Sequence, residues 1–191
     1  NGYELCKNIK EDIAISHIPV ILLTARDDQQ SQLSGYKNGA DGYLSKPFEV
    51  EMLMELIRNR LKNREYTKKR YLNAGLIPTP EESTISLTDE TFLIKLNSII
   101  QENIDNTNLG IQFICQEVGL GRSSLYNKLK ALTGMGANEY ISKLRIEKAI
   151  TLISGTDMPF SEIAEKTGFT TPSYFSTAFK QYTGETPSQY K

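Results

Sequence analysis

The sequence predicts an α/β segment followed by an all-α half. Three observations predict it. Two short apolar runs, IPVILLTA (18–25) and DGYLS (41–45), alternate with helical stretches in the βα order of a doubly wound fold. After residue 86 almost no strand signal remains. Within that second half, residues 114–134 and 163–184 repeat one pattern at an offset of 49 to 50 positions.

Composition narrows the classes. The chain has 191 residues, 39% hydrophobic and 24% charged, which suits one or two globular domains. A net charge of −1 does not by itself announce a nucleic-acid binder. Cys6 and Cys115 are far apart and form no CxxC, so we expect a reducing compartment and neither a metal nor a disulfide framework. The single histidine, His17, has no partners for a histidine cluster and reads as a loop residue rather than a catalytic base. No apolar run approaches the ~20 residues of a membrane span, and no signal peptide is expected. Asn1 in place of a methionine points to a processed start or a chain boundary.

In the α/β segment, residues 3–9 read as a helix. Pro19 opens the first apolar run, whose β-branched content suits a strand buried on both faces. A polar helix follows over 28–38, and Gly39 ends it. Residues 41–45 form the second strand. Residues 49–61 are amphipathic, with Val50, Leu53, Leu56, Ile57 and Leu61 near helical spacing. Seven basic residues and one acid lie between 58 and 70, and Gly75, Pro78 and Pro80 break the pattern beyond. We therefore expect a linker over 65–86. Two strands alone make a poor sheet, so the segment reads as the back half of a domain.

The stretch GADGYLSKPF (39–48) places a hydrated cation, Lys46, at the end of an apolar strand. Either it is an ordinary surface lysine or it waits for an anion. HIPVILLTA, GADGYLSKPF and the opening NGYEL together resemble the second half of a bacterial response-regulator receiver domain, over residues 1 to about 62. The resemblance implies a partial flavodoxin-like α/β fold. It implies that Thr24 ends a strand beside the phosphorylation site, that Tyr43 rotates on activation, and that Lys46, before a cis Pro47, contacts the phosphoryl group. It also implies an acceptor aspartate and a Mg²⁺-binding acidic pair upstream of Asn1. Asp12, Asp27, Asp28 and Asp41 do not follow apolar strands and are poor substitutes. No cofactor is expected in this segment.

In the helical half, Phe92, Leu96, Ile99 and Ile100 form one stripe, and Asp89 and Glu90 suit a helix start. Each repeat copy is a short helix, a glycine turn (Gly119 or Gly168) and a second helix, a helix-turn-helix outline. The expected core faces are Leu125, Leu129 and Leu132 in copy one, and Phe175, Phe179 and Tyr182 in copy two. The opposite faces are polar. Thr171 reads as an N-cap with Pro172 at the first helical position. Residues 122–134 carry Arg122, Lys128 and Lys130 and no acid, and residues 169–184 carry Lys180 and no acid. Residues 84–191 as a whole have ten basic and eleven acidic residues, so basic charge is concentrated on the second helices. A helical bundle with solvated faces remains the plain alternative.

GLGRSSLYNKLKALTG, YISKLRIEKAITLI and GFTTPSYFSTAFKQYTGETPSQY resemble, in that order, the first recognition helix, the long joining helix and the second recognition helix of the AraC family of transcription regulators, over residues 88–191. The resemblance implies that Ser123, Tyr126 and Asn127 face bases from copy one, and Ser173, Tyr174 and Thr177 from copy two. Asn127 suits adenine. Arg122, Ser124, Lys128 and Lys130 suit phosphates from copy one, and Thr171, Ser176 and Lys180 from copy two. Gly121 stands where a capping serine or aspartate is usual, and copy two offers no arginine for guanine.

The expected domains are a receiver half (1–64), a basic linker (65–86) and an AraC-like domain (87–191). The last divides into a first module over about 111–134, a joining helix over about 137–153 and a second module over about 160–184. The combination implies a DNA-binding transcription regulator under phosphorelay control, not an enzyme within this segment. Its implied partners are double-stranded DNA, a second copy through the receiver, a sensor kinase module in cis or in trans, and RNA polymerase. A hybrid sensor kinase and a free-standing response regulator both end this way, and the KKRY-containing linker favours the hybrid. That places the segment in the cytoplasm, tethered to an upstream membrane sensor. A small phosphate-binding enzyme using Lys46 and a protein-interaction bundle are the competing classes.

Overall fold

The computed structural model describes residues 1–26, 28–74 and 86–191. Asp27 and residues 75–85 of the expected linker lie outside them. The described residues form two compact units. One comprises residues 1–94 with 123–134, the other 95–122 with 135–191. Residues 123–134 thus fall in the same unit as the α/β segment.

In the first unit, α1 (Gly2–Glu11) starts at an Asn1 cap whose side chain accepts from the amides of Tyr3 and Glu4. Strands β1 (Ile21–Thr24) and β2 (Gly42–Ser45) pair in parallel, with Thr24 opposite Ser45. Helix α2 (Gln29–Lys37) connects them and is capped by Asp28. β1 is less buried than its sequence suggests, since Leu23 is 42% exposed. It pairs only with β2 among the described residues, so apolar composition alone does not cover its second face.

Helix α3 runs Val50–Ala74 and corrects two expectations. The expected linker is helical as far as residue 74, because no glycine or proline interrupts it before Gly75, and Glu65 and Lys68 pair one turn apart at 2.6 Å. The expected apolar stripe is buried only in its middle. Leu53, Leu56 and Ile57 are half-buried, while Val50 and Leu61 are exposed. Helix α4 (Leu87–Glu102) buries Phe92, Leu96, Ile99 and Ile100 as expected.

The second unit is built on α5 (Ile111–Val118), α7 (Ala137–Gly155), α8 (Phe160–Lys166), α9 (Pro172–Thr183) and the short α10 (Pro187–Tyr190). Its core joins Ile146, Ala149 and Ile153 of α7 to Ile163 and Ala164 of α8 and to Phe175 and Phe179 of α9, with Phe169 from the turn. The rings of Phe169, Phe175, Phe179 and Tyr190 follow one another at centroid distances of 5.3 to 5.7 Å in tilted and edge-on contacts. The repeat is visible in the backbone. Gly119 and Gly168 make the turns at φ 74° and 73°, and Gly134 and Gly184 follow the second helices at 79° and 89°.

Candidate nucleic-acid interface and switch residues

The parallel register brings the switch residues together. With Thr24 opposite Ser45, the Lys46 amide donates to the Thr24 carbonyl at 2.6 Å, and both residues lie at the C-terminal ends of the strands. The Lys46–Pro47 peptide is cis. The Lys46 and Pro47 side chains are exposed. The Thr24 hydroxyl accepts from the Arg26 amide at 3.1 Å. Tyr43 points inward, and its hydroxyl donates to the Arg26 carbonyl at 2.7 Å. Burial pushes its phenol pKa up to about 12, with neighbouring Tyr3 adding to the effect.

A metal fits poorly here. No cluster of three or more His, Cys, Asp or Glu able to hold an ion exists among the described residues. Asp28 is engaged as the α2 cap and bonds Ser31 through both carboxylate oxygens. Asp41 is engaged by Lys10 at 2.6 Å and by the Val20 amide at 2.7 Å.

Helix α6 (Arg122–Thr133) buries Leu125, Leu129 and Leu132 and exposes Ser123, Tyr126 and Asn127. Arg122 and Lys130 are exposed, and Ser124 is half-buried. Arg122 donates to the Gln112 side chain at 3.1 Å. Lys128 departs from its expected role. It is 0% exposed, forms an ion pair with Asp89 (4% exposed), and donates to Ser16 Oγ at 2.7 Å. Ser16 Oγ donates to the same carboxylate at 2.7 Å, and the ammonium lies 5.0 Å from the centre of the Phe92 ring. Burial pushes the lysine's pKa down against the opposing pull of Asp89. A cation enclosed in this way cannot neutralise a DNA phosphate, so Lys128 leaves the phosphate set. Its spacing from Leu125 and Leu132 places it on the apolar face of α6, but nothing nearby in sequence marks its partner. Leu129 is its apolar neighbour, and its carboxylate lies 39 positions away.

Helix α9 exposes Ser173, Tyr174 and Thr177, with Phe175 and Phe179 buried beneath. Thr171 caps it by accepting from the Tyr174 amide at 3.1 Å, and no acid occupies its first turn. Tyr174 also leans edge-on against Phe169 at 5.8 Å. Ser176, Thr177 and Lys180 line an open groove with Gln181 and Thr186. Gln181 lies one turn beyond Thr177, a spacing that could have marked it. Tyr182 does not join the core. It is 42% exposed, and its hydroxyl donates to Glu147 at 3.2 Å, where Lys143 also pairs. The phenol needs a polar partner, and one lies at the rim of α7.

Two family models match the chain. The response regulator receiver domain matches residues 1–58, and a helix-turn-helix domain matches residues 114–191. Histidine kinase P4 of Formosa agariphila is 43% identical over 190 residues, which is 100% of this chain and 14% of that protein. The C-terminal domain of AraT, a response regulator from Geobacillus stearothermophilus, is similar at 30% identity and a TM-score of 0.50, covering 56% of this chain and 86% of that domain. An AraC-type transcriptional regulator from Chromobacterium violaceum shares the fold at 24% identity and a TM-score of 0.51, covering 55% of this chain and 93% of that chain.

Fold and motifs thus define a class, part of a receiver domain followed by paired helix-turn-helix modules. The chain belongs to the response-regulator family that carries an AraC-type helix-turn-helix domain. No described helix is long and apolar enough to cross a membrane.

Proposed function

We propose that this segment is the DNA-binding output of a phosphorelay-controlled transcription regulator. The observation that carries the proposal is the division of α6 and α9 into a buried apolar face and an exposed polar one. Ser123, Tyr126 and Asn127 lie outward over Leu125 and Leu129, and Ser173, Tyr174 and Thr177 lie outward over Phe175 and Phe179. These six read bases, and Asn127 pairs with adenine. Arg122, Ser124, Lys130, Thr171, Ser176 and Lys180 hold phosphates. DNA binding by this segment uses no cofactor. Thr24, Tyr43, Lys46 and Pro47 report on an acceptor outside the segment, and Mg²⁺ belongs to that missing chemistry. The parent kinase activity, a membrane tether, receiver-mediated dimerisation and contact with RNA polymerase complete the proposal. The 43% likeness to a histidine kinase, of which the chain spans 14%, favours the hybrid form over a free-standing regulator.

Selection of bound sequences from random duplex DNA, repeated across a salt series, tests the reading. A recovered motif with two blocks about one helical turn (~10 base pairs) apart supports it. Binding without a motif that salt abolishes would mean phosphate attraction alone and would sink sequence-specific control by this segment.

A further inference from the structure

A cleft of about 260 Å³ opens in the first unit and includes Lys10, His17, Asp41, Arg60, Arg64 and Asp89 in its lining. Its charges do not balance. Asp41 is taken by Lys10 and Asp89 by Lys128. Arg60 and Arg64 remain, one helical turn apart on α3, both half-buried and neither in an ion pair with a carboxylate among the described residues. Like charges at this spacing repel, and two guanidinium forks side by side suit an oxyanion. The third feature is His17. Its Nδ1 is shut off from solvent and has no hydrogen-bond partner. Burial is the main reason that its pKa falls to about 4. The cations Lys128, Arg64 and Lys10 push the same way, and Asp89 opposes them.

We propose that this cleft binds a small dianionic oxyanion, inorganic phosphate or a phosphomonoester, held between Arg60 and Arg64 beside the His17 ring. Two unmatched positive charges call for two negative ones. The volume is several times the ~30 Å³ share of one water, so a phosphate and a short ester group fit. Ser16 and Asp89 line the same cleft and hold Lys128, so the anion sits beside the side chains that hold α6.

His17 is the chain's only histidine, so its imidazole proton resonance is unambiguous. Sulfate, a dianion at every working pH, is titrated into the whole chain at ionic strength held constant with chloride. A saturable shift of the His17 resonance is expected, with its pKa rising by about one pH unit, equivalent to about tenfold tighter sulfate binding to the charged ring. Inorganic phosphate and glycerol phosphate at neutral pH distinguish a free ion from an ester, and the tighter of the two names the natural class. The double variant R60Q/R64Q should weaken binding at least about tenfold, while K62Q on the exposed side of α3 should not. The wild-type titration decides by itself. If sulfate and phosphate leave His17 no different from chloride, there is no anion site. If only a short DNA duplex moves His17, the cleft is part of a DNA surface, and the proposal is equally wrong. Neither result touches the recovery of a DNA motif.

Discussion

Lys128 gives the sharpest prediction, because its two readings predict different measurements. A phosphate contact costs little stability when removed and lowers the salt slope of DNA binding by about one. A buried ion pair behaves in the opposite way. Lys128 is 0% exposed, Asp89 is 4% exposed, and Ser16 bonds to both. Lys128→Met leaves a buried carboxylate with the Ser16 hydroxyl as its remaining side-chain donor, and Asp89→Asn leaves a buried ammonium without its counter-charge. Each single change should cost about 3–5 kcal/mol. For a chain of this size that is a fall of very roughly 6–20 °C in Tm, at about 2–4 °C per kcal/mol. The double variant removes both charges and their desolvation penalty together, so it should lie within about 2 kcal/mol of the parent. Urea unfolding followed by circular dichroism, at low and high salt, measures all three. The loss should depend only weakly on salt, since both side chains are almost wholly removed from solvent. Single-variant costs below about 1 kcal/mol, or additive costs in the double variant, would refute a buried pair.

Other expectations follow from the same geometry. Asn127→Ala should cost about 1–3 kcal/mol at one base position of the selected motif, whereas Lys130→Gln should weaken all sequences alike and lower the salt slope by about one, both read by titration against duplex variants. Gly168→Ala should destabilise far more than Gly119→Ala. Both positions are left-handed, which costs about 1–2 kcal/mol, but a Cβ at 168 would lie 2.3 Å from the Ile104 carbonyl oxygen while one at 119 meets open space. Equal melting temperatures for the two variants would remove that distinction. Stability should also fall on acidification through His17. Its folded pKa of about 4 lies below the ordinary 6.5, so the unfolded chain binds more protons between those values. The contribution is complete above pH 6.5 and is lost as pH drops toward 4, about 1–2 kcal/mol after allowance for solvent at a half-buried ring. His17→Gln should flatten that part of the pH profile, and an unchanged profile would assign the acid sensitivity to other groups.

The legible parts of this fold share a property. The modules were readable because their determinants are local: a glycine that adopts φ above 70°, Thr171 before Pro172, and apolar residues at i and i+4. Strand register carries Thr24 and Lys46 to one end of the pair once the two strands are found, while the roles given to them rest on the resemblance to receiver domains. What failed was non-local or depended on a terminus. The basic stretch from residue 65 looked like the start of a linker, yet α3 continues through it as far as residue 74. Tyr182 followed the core period but left it for Glu147 on α7, 35 positions earlier.

Lys128 failed for a deeper reason. On α6 it lies three residues after Leu125 and four before Leu132, on the buried face, and only its charge made it read as a phosphate contact. Its burial depends on Asp89 and Ser16, which lie 39 and 112 positions away. Charge counting along the sequence cannot tell a cation held by an acid from one awaiting a phosphate. The basic surplus of 122–134 therefore shrinks to Arg122 and Lys130 once Lys128 is neutralised internally. On the proposed reading, phosphate attraction by α6 is correspondingly weaker than its composition suggests, and Ser123, Tyr126 and Asn127 carry a larger share of the affinity. An AraC-type module of this kind should show a shallow salt slope together with a strong dependence on a few bases, and the salt-series selection measures both quantities at once.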